Sequence, residues 1–193
     1  MKKICLILIV LFISTSLYPL DESFEKKYNL KSQVDEENGI IWYRHKKGSG
    51  GNTKIYPYIG KRTKSEECFL RMVILYAGPQ NLFVKEYVFT VDDVEHILIP
   101  RKKIETVEAK DNFLRSGDRD MSGGIVEVYD VAANQEEFEL MEKISRAKTV
   151  KLKYIGVIGF KRKPIHKTTK KAMGEVLAAY KELMGISQQH TGE

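Results

Sequence analysis

Apolar and polar residues alternate with a period of two over most of the chain between residues 39 and 160. This alternation sends successive side chains to opposite faces and is typical of β-strands. About seven such segments precede residue 134, and one more follows near the C-terminal end. The pattern therefore predicts a domain built mainly from strands.

Clusters of turn-forming residues divide the alternating region. The run GSGGN at 48–52 predicts a hairpin between the segments on either side of it. Gly78-Pro79-Gln80-Asn81 separates CFLRMVILYA from LFVKEYVFTV and predicts the strongest hairpin of the chain. A last long strand is predicted over 149–160, with an irregularity at Gly156.

Two segments of the C-terminal half follow helical spacing instead. Asn134 is placed to cap a helix NQEEFELMEKISRA, in which Glu136 and Glu137 complement the positive end of the helix dipole. A second helix begins near Thr168, repeats apolar residues every three or four positions, and ends at Gly185. Both apolar stripes indicate core packing rather than a ligand site.

The order of these elements predicts an α+β domain that is mainly β. Long consecutive strands favour an antiparallel sandwich or a curled sheet, and two amphipathic helices in the C-terminal half can cover an open face or end. We assign residues 39–186 to a single β-rich domain, with two smaller domains as the alternative. Residues 17–38 are expected to form a polar arm or a short first helix, and residues 187–193 a frayed tail.

The first sixteen residues have the organisation of a signal peptide. Lys2 and Lys3 precede an uninterrupted apolar run, and small residues near Ser16 supply a cleavage site. The prediction is a periplasmic or secreted protein, and an uncleaved membrane anchor is the alternative. Cleavage after Ser16 would remove Cys5 and leave Cys68, which we interpret as a small buried hydrophobic residue.

Several segments resemble a pattern found in uncharacterised secreted bacterial proteins. The matching runs are Glu127-x-Tyr129-Asp130, the residues from Phe138 to Gly156, Ala172-x-x-Glu175-Val176-Leu177, and Trp42-Tyr43-x-His45-Lys46. The resemblance implies a β-sandwich-like fold outside the cytoplasm, and it carries no assigned activity. The basic run KRKPIHK after Phe160 departs from that pattern.

No motif for catalysis, a metal or a cofactor stands out. The histidines are far apart in the sequence, and the loop GDRDMSGG resembles the start of a calcium loop but has Tyr129 where a bidentate Glu is needed. Acidic pairs such as Asp92-Asp93 are expected to be solvated. We therefore predict no enzyme activity, no metal and no cofactor, with a hydrolase as the remaining enzymatic hypothesis.

The charged residues offer the best candidate chemistry. The formal charge of +6 would fall to +4 without Lys2 and Lys3, and the spread of both signs along the chain argues against disorder. Basic clusters lie where strands end, and they would attract an anion if they converged on one rim. The candidate ligand-binding residues are Arg101, Lys102, Lys103, Lys161, Arg162 and Lys163.

Function is expected to lie in binding. The first hypothesis is an exported, non-enzymatic binding or interaction module whose partner is an unknown envelope or extracellular protein or glycan. The alternative is a binder of polyanions, such as glycans, lipid headgroups or nucleic acid, through the basic rim. Membrane contact is expected only if the leader is retained. Trp42, Tyr43, Tyr56 and Tyr58 are interpreted as cross-strand core residues, with sugar stacking as the alternative.

Overall fold

The computed structural model describes residues 22–47, 55–108 and 124–186, which form ten strands and three helices. The predicted leader, the 48–52 turn, the calcium-like loop before Gly124 and the tail 187–193 lie outside these residues. In chain order the elements are α1 (Glu22–Lys27), β1 (Leu30–Asp35), β2 (Ile40–His45), β3 (Ile55–Arg62), β4 (Cys68–Gly78), β5 (Val84–Val91), β6 (Val94–Leu98), β7 (Glu105–Glu108), β8 (Ile125–Ala132), α2 (Gln135–Arg146), β9 (Val150–Gly156), β10 (Gly159–Pro164) and α3 (Lys167–Leu183).

The strands form two antiparallel sheets. The larger sheet has the order β1-β2-β3-β4-β8-β7, and the smaller has the order β10-β9-β5-β6. The fold is therefore α+β and mainly β, as predicted, with two open sheets. Strands β2 and β3, which precede and follow the 48–52 segment, pair antiparallel as the predicted hairpin requires.

Both predicted C-terminal helices are present. Asn134 caps α2 through a capping box, in which its side chain accepts from the backbone N–H of Glu137 and the Glu137 carboxylate accepts from the backbone N–H of Asn134. Helix α3 packs on α2 and on β2, β3 and β4. No helix in the described ranges is long and apolar enough to cross a membrane.

A large core lies between the sheets and helices. Four tyrosines fill the space between the sheets, where the Tyr87 ring lies 5.9 Å from Tyr129 and 5.8 Å from Tyr154, and Tyr76 lies 5.7 Å from Tyr154. The hydroxyl of Tyr154 donates to the carbonyl of Leu75, which links the two sheets directly. Burial raises the pKa of the Tyr154 hydroxyl well above its ordinary value.

The predicted hairpin around Gly78-Pro79-Gln80-Asn81 is wrong. Strand β4 pairs with β3 and β8 in the larger sheet, whereas β5 pairs with β6 and β9 in the smaller one. Both edges of β4 are already occupied, so the chain crosses to the other sheet after Gly78. A turn cluster indicates a change of direction, but it does not indicate which strand becomes the neighbour.

The single long strand expected over 149–160 is a hairpin instead. Strand β9 ends at Gly156, Val157 and Ile158 form the turn, and β10 returns alongside with Gly159 opposite Gly156. Gly159 has φ 135°, which favours glycine, and this permits the reversal. The apolar character of Val157 and Ile158 made the turn look like a continuation of the strand.

The segment expected to form a polar arm or a short first helix begins with a short helix and is part of the fold at residues 22–38. It contains α1 and β1, and β1 pairs with β2 along its whole length. Phe24 is buried against Tyr43, with ring centroids 5.6 Å apart. Cys68 is buried, which confirms its interpretation as a core residue, and burial raises the pKa of its thiol.

Candidate functional site

One end of the smaller sheet exposes a cluster of large apolar side chains. Val157 and Ile158 form the β9–β10 turn, Phe160 follows on β10, and Phe83 precedes β5. Between 51% and 60% of each residue is exposed. We call these four residues the apolar tip. The backbone N–H of Val157 donates to the carbonyl of Phe83 at 3.2 Å, which joins the two segments.

A buried carboxylate holds the segment that carries Phe83. Glu127 of β8 is only 2% exposed, and its oxygens accept from the backbone N–H groups of Leu82 at 2.5 Å and of Phe83 and Val84 at 2.8 Å. Phe83 has φ 54°, in the left-handed region that an aromatic residue rarely adopts. The three hydrogen bonds hold this conformation, and the Phe83 ring is exposed.

Lysines surround a cavity beside the apolar tip. The cavity has a volume of about 420 Å³ and is lined by Lys85, Lys102 and Lys103, together with Phe83 and Val157. We call it the lysine cavity. Lys102 and Lys103 come from the connection between β6 and β7, whereas Lys85 comes from β5.

A β-bulge aims Lys85 at this cavity. The register between β5 and β9 shifts between Val84 and Glu86, so Lys85 is the extra residue. Val84 and Tyr87 are both in the core although three positions separate them. Strict alternation would send them to opposite faces, and the bulge resolves this conflict.

The predicted candidate residues separate into distinct groups. Lys102 and Lys103 line the lysine cavity, and Lys161 and Lys163 line a second cavity of about 160 Å³ with Tyr76 and Tyr154. Arg162 lies on the opposite face of β10, where its guanidinium is 5.4 Å from the centre of the Phe160 ring. Lys153 of β9 is 5.2 Å from the same ring.

Arg101 is engaged within the fold rather than in the cavity. Its guanidinium donates to Glu137 at 2.6 Å and to the carbonyl of Ala132 at 3.2 Å, and its backbone N–H donates to the Tyr129 hydroxyl. The hydrogen bond to Glu137 raises the pKa of Arg101. Arg101 thus anchors the connection that presents Lys102 and Lys103.

Other basic clusters do not join this surface. Lys61 and Arg62 form ion pairs with Glu66 and Glu67, at 3.2 Å and 2.6 Å. Lys170 is buried, and its ammonium donates to the carbonyls of Ala147 and Lys148 at the C-terminal end of α2. The expectation of one rim formed by all the basic clusters is therefore replaced by a smaller group around the apolar tip.

The four aromatic residues divide between the two faces of the larger sheet. Tyr43 is in the main core, while Trp42, Tyr56 and Tyr58 share the opposite face. The Trp42 ring lies 5.3 Å from Tyr58 and 5.6 Å from Phe69, and the rings of Trp42 and Phe69 cover Gly60. The rings pack against one another on the sheet, in agreement with their interpretation as cross-strand contacts.

Tyr58 is also fixed by charged neighbours. Its hydroxyl donates to Asp130 at 2.8 Å, and Arg71 donates to the same carboxylate at 2.9 Å. Burial and the hydrogen bond to Asp130 raise the pKa of Tyr58 far above its ordinary value. Tyr58, Asp130 and Arg71 are therefore bonded to one another and have a structural role on this face.

The buried ionisable groups elsewhere also have structural partners. His45 lies 2.6 Å from the Glu175 carboxylate through its Nε2, and its Nδ1 accepts from the backbone N–H of Lys47, which makes Nε2 the protonated nitrogen. The Glu137 carboxylate accepts hydrogen bonds from the backbone N–H of Asn134 and from the guanidinium of Arg101. Within the described ranges, no three His, Cys, Asp or Glu side chains are grouped closely enough to hold a metal.

Sequence reasoning missed three parts of the site, namely Lys85, Glu127 and the Val157-Ile158 turn. The three-residue spacing of Val84 and Tyr87 is a signal for the bulge. Two glycines separated by two residues, Gly156 and Gly159, indicate a two-residue turn. Nothing in the sequence identifies Glu127, because its role depends on strands from two sheets.

No protein-family model, curated protein or solved structure matches this chain. Function is therefore inferred from the geometry of the site and from the sequence.

Proposed function

We propose that this protein is an exported, non-enzymatic binding module that recognises an anionic ligand at the lysine cavity. The convergence of Lys85, Lys102 and Lys103 on one cavity carries the proposal. The ligand class is a molecule that presents phosphate, sulfate or carboxylate groups, and the leader-like N-terminus supports an encounter outside the cytoplasm.

The charges around the cavity favour an anion because they are incompletely neutralised. The ammonium of Lys102 lies 3.8 Å from the carboxylate of Glu105. Both side chains are exposed, so this ion pair is weak and neutralises the lysine only in part. Within the described part of the chain, Lys85 and Lys103 form no ion pair. The carboxylate of Glu127 also borders the cavity, but it is turned toward three backbone N–H groups.

The shape of the cavity supports binding rather than nonspecific attraction. Phe83 and Val157 form an apolar wall beside the three lysines. A pocket with an apolar wall and a few placed charges is the usual form of a ligand site. Arg101 holds the 101–104 connection through Glu137, so two of the lysines are presented from an anchored segment.

Retention on immobilised heparin tests the proposal. We expect the full chain to be retained at low salt and to elute as salt increases, because counterions compete for the lysines. Lys102→Glu with Lys103→Glu should move elution to clearly lower salt. The matched control is Lys148→Glu with Lys151→Glu, which changes the charge equally at exposed positions near the other end of the smaller sheet.

Two results would contradict the proposal. Absence of retention at low salt would exclude recognition of this class of polymer. Equal shifts for both double variants would show that retention follows net charge and not the lysine cavity. Circular dichroism and urea unfolding of each variant distinguish lost binding from lost folding.

A further inference from the structure

We infer that the apolar tip inserts into the surface of an anionic phospholipid bilayer, with the surrounding lysines and arginine on the headgroups. This inference rests on the proposed function, because it names lipid phosphate as the anion, and it adds an apolar contact that anion binding does not need. The observation behind it is the juxtaposition of Phe83, Val157, Ile158 and Phe160 with a group of exposed cations.

The backbone of the β9–β10 turn does not require its apolar composition. Val157 and Ile158 are not among the residues with positive φ, so the turn does not need Asn, Asp or Gly at these positions, but nothing in its geometry calls for apolar side chains either. Val157 and Ile158 are 60% and 51% exposed, so they contribute little to the core. Exposed apolar groups clustered in this way mark an interaction surface.

The spacing along β10 suits the depth of a bilayer interface. Phe160 and Lys161 follow Ile158 by two and three residues, or roughly 7 and 10 Å at the rise of a β-strand. Interfacial protein segments bury apolar groups about 5–10 Å into the boundary between headgroups and acyl chains. The turn and Phe160 therefore reach that depth while the ammonium of Lys161 remains among the phosphates.

The charges around the apolar tip complement an anionic membrane. Half-buried Lys153 is joined by exposed cations of the lysine cavity and of β10, namely Lys85, Lys102, Lys103, Lys161, Arg162 and Lys163. Basic side chains near an anionic surface add electrostatic attraction to it. Glu86 and Glu105 are nearby acids on β5 and β7, and the cations outnumber them.

The backbone that supports Phe83 is already in the conformation that exposes the ring. Its left-handed φ of 54° costs free energy, and the hydrogen bonds from this segment to Glu127 maintain it. The apolar tip is thus held in place before binding, which reduces the ordering cost of insertion.

Vesicle co-sedimentation tests the inference. The measured quantity is the increase in binding of the full chain when phosphatidylglycerol is added to phosphatidylcholine vesicles, so that any contribution of the N-terminal leader is common to all variants. Ile158→Ser with Phe160→Ser should reduce this increase about tenfold or more, because two apolar side chains are lost from the bilayer. Heparin retention and urea stability should be unchanged, since both side chains are uncharged and more than half exposed and neither lines the lysine cavity.

A fluorescence measurement locates the inserted residue. The Ile158→Trp variant should be quenched by brominated lipids in vesicles that contain phosphatidylglycerol. Val94→Trp is the matched control, because Val94 is similarly exposed beside the turn at the other end of the sheet. Trp42 is common to both variants.

The outcomes separate this inference from the proposed function. If the Ile158/Phe160 variant keeps the phosphatidylglycerol-dependent increase, insertion is refuted. The same holds if the Ile158→Trp variant is quenched no more than the Val94→Trp variant. If the full chain is retained on heparin but gains nothing from phosphatidylglycerol, the inference fails and the proposed function stands. If neither heparin nor phosphatidylglycerol binds, both fail.

Discussion

The two hairpin turns at opposite ends of the smaller sheet are built from opposite kinds of residue. Asp92 and Asp93 join β5 to β6, have φ values of 44° and 69°, and are the residues that this turn geometry favours. Val157 and Ile158 join β9 to β10 and are β-branched and exposed. Positive φ values explain the Asp residues of the first turn, whereas the backbone of the second turn neither excludes nor requires apolar residues, and their exposure is the basis of the inferred insertion.

Hydrogen bonding strengthens the contrast. The Asp92 carboxylate accepts from the backbone N–H groups of Thr149 at 2.7 Å and Lys148 at 3.1 Å, which ties the turn to the start of β9. At the other end, Glu127 holds the backbone next to Phe83, and the side chains of the turn are exposed to solvent. The combination of an anchored backbone with exposed apolar side chains is the arrangement on which the inferred bilayer contact rests.

The largest expected effect comes from removing the anchor of the apolar end. Glu127→Ala should lower the free energy of unfolding by about 3–5 kcal/mol, because three N–H groups lose a charged acceptor in a largely buried place. Urea unfolding measures the loss. Glu127→Gln keeps one carbonyl acceptor and should lose about half as much.

A loss below about 1 kcal/mol for Glu127→Ala would contradict this expectation. It would show that the segment carrying Phe83 is held by packing alone. The apolar end of the sheet would then have no anchor comparable to that of the Asp92 turn.

A smaller loss of stability is expected when a β-branched residue, as found in the Val157-Ile158 turn, is placed in the Asp92-Asp93 turn. Asp93→Val should destabilise the protein by about 1–2 kcal/mol, since a β-branched residue is strained at φ 69°. Asp93→Gly is the matched control and should leave stability unchanged or slightly higher. Equal stability of the Val and Gly variants would show that this turn tolerates any residue.

The smallest effect concerns the pH dependence of the anchored turn. Hydrogen bonds from the backbone N–H groups of Thr149 and Lys148 lower the pKa of Asp92 below its ordinary value of 3.8. The contribution of Asp92 to stability is therefore complete above pH 3.8 and is lost as pH falls through the lower pKa of the folded protein.

Asp92→Asn checks this linkage. Urea midpoints of the natural and Asn proteins should differ at neutral pH and converge in acid below pH 3.8. A difference that stays constant across this range would assign the effect of Asp92 to turn geometry and not to its charge. The Val157-Ile158 turn contains no titratable side chain and supplies no such contribution.

The local patterns were sufficient for helices and for most strands. The Asn134 cap and the Gly185 stop define α2 and α3 because both signals act through neighbouring backbone groups. The alternation of apolar and polar residues predicted β2, β3, β4 and β5, because it also depends only on neighbouring residues. Pairing was harder, since β4 and β5 are consecutive in the chain but belong to different sheets.

The structure places the predicted candidate residues in different surroundings. The Lys102-Lys103 pair lies beside a cavity, and Lys161 to Lys163 lie on β10, but Arg101 is paired with Glu137. Local sequence shows that a residue is charged, but it does not show which partner neutralises it. Lys85 joins the site only through a bulge that keeps Val84 and Tyr87 in one core.

The sequence by itself determined the fold class and the two C-terminal helices, because periodicity and caps depend on residues close together in the chain. Only the tertiary structure decided that β4 and β5 belong to different sheets, that Glu127 holds Phe83, and that lysines from two segments surround a cavity beside an apolar turn. Those facts depend on contacts between residues as far apart as β5 and β8. Short-range patterns do not determine such contacts, because many pairings of the same strands bury similar apolar faces.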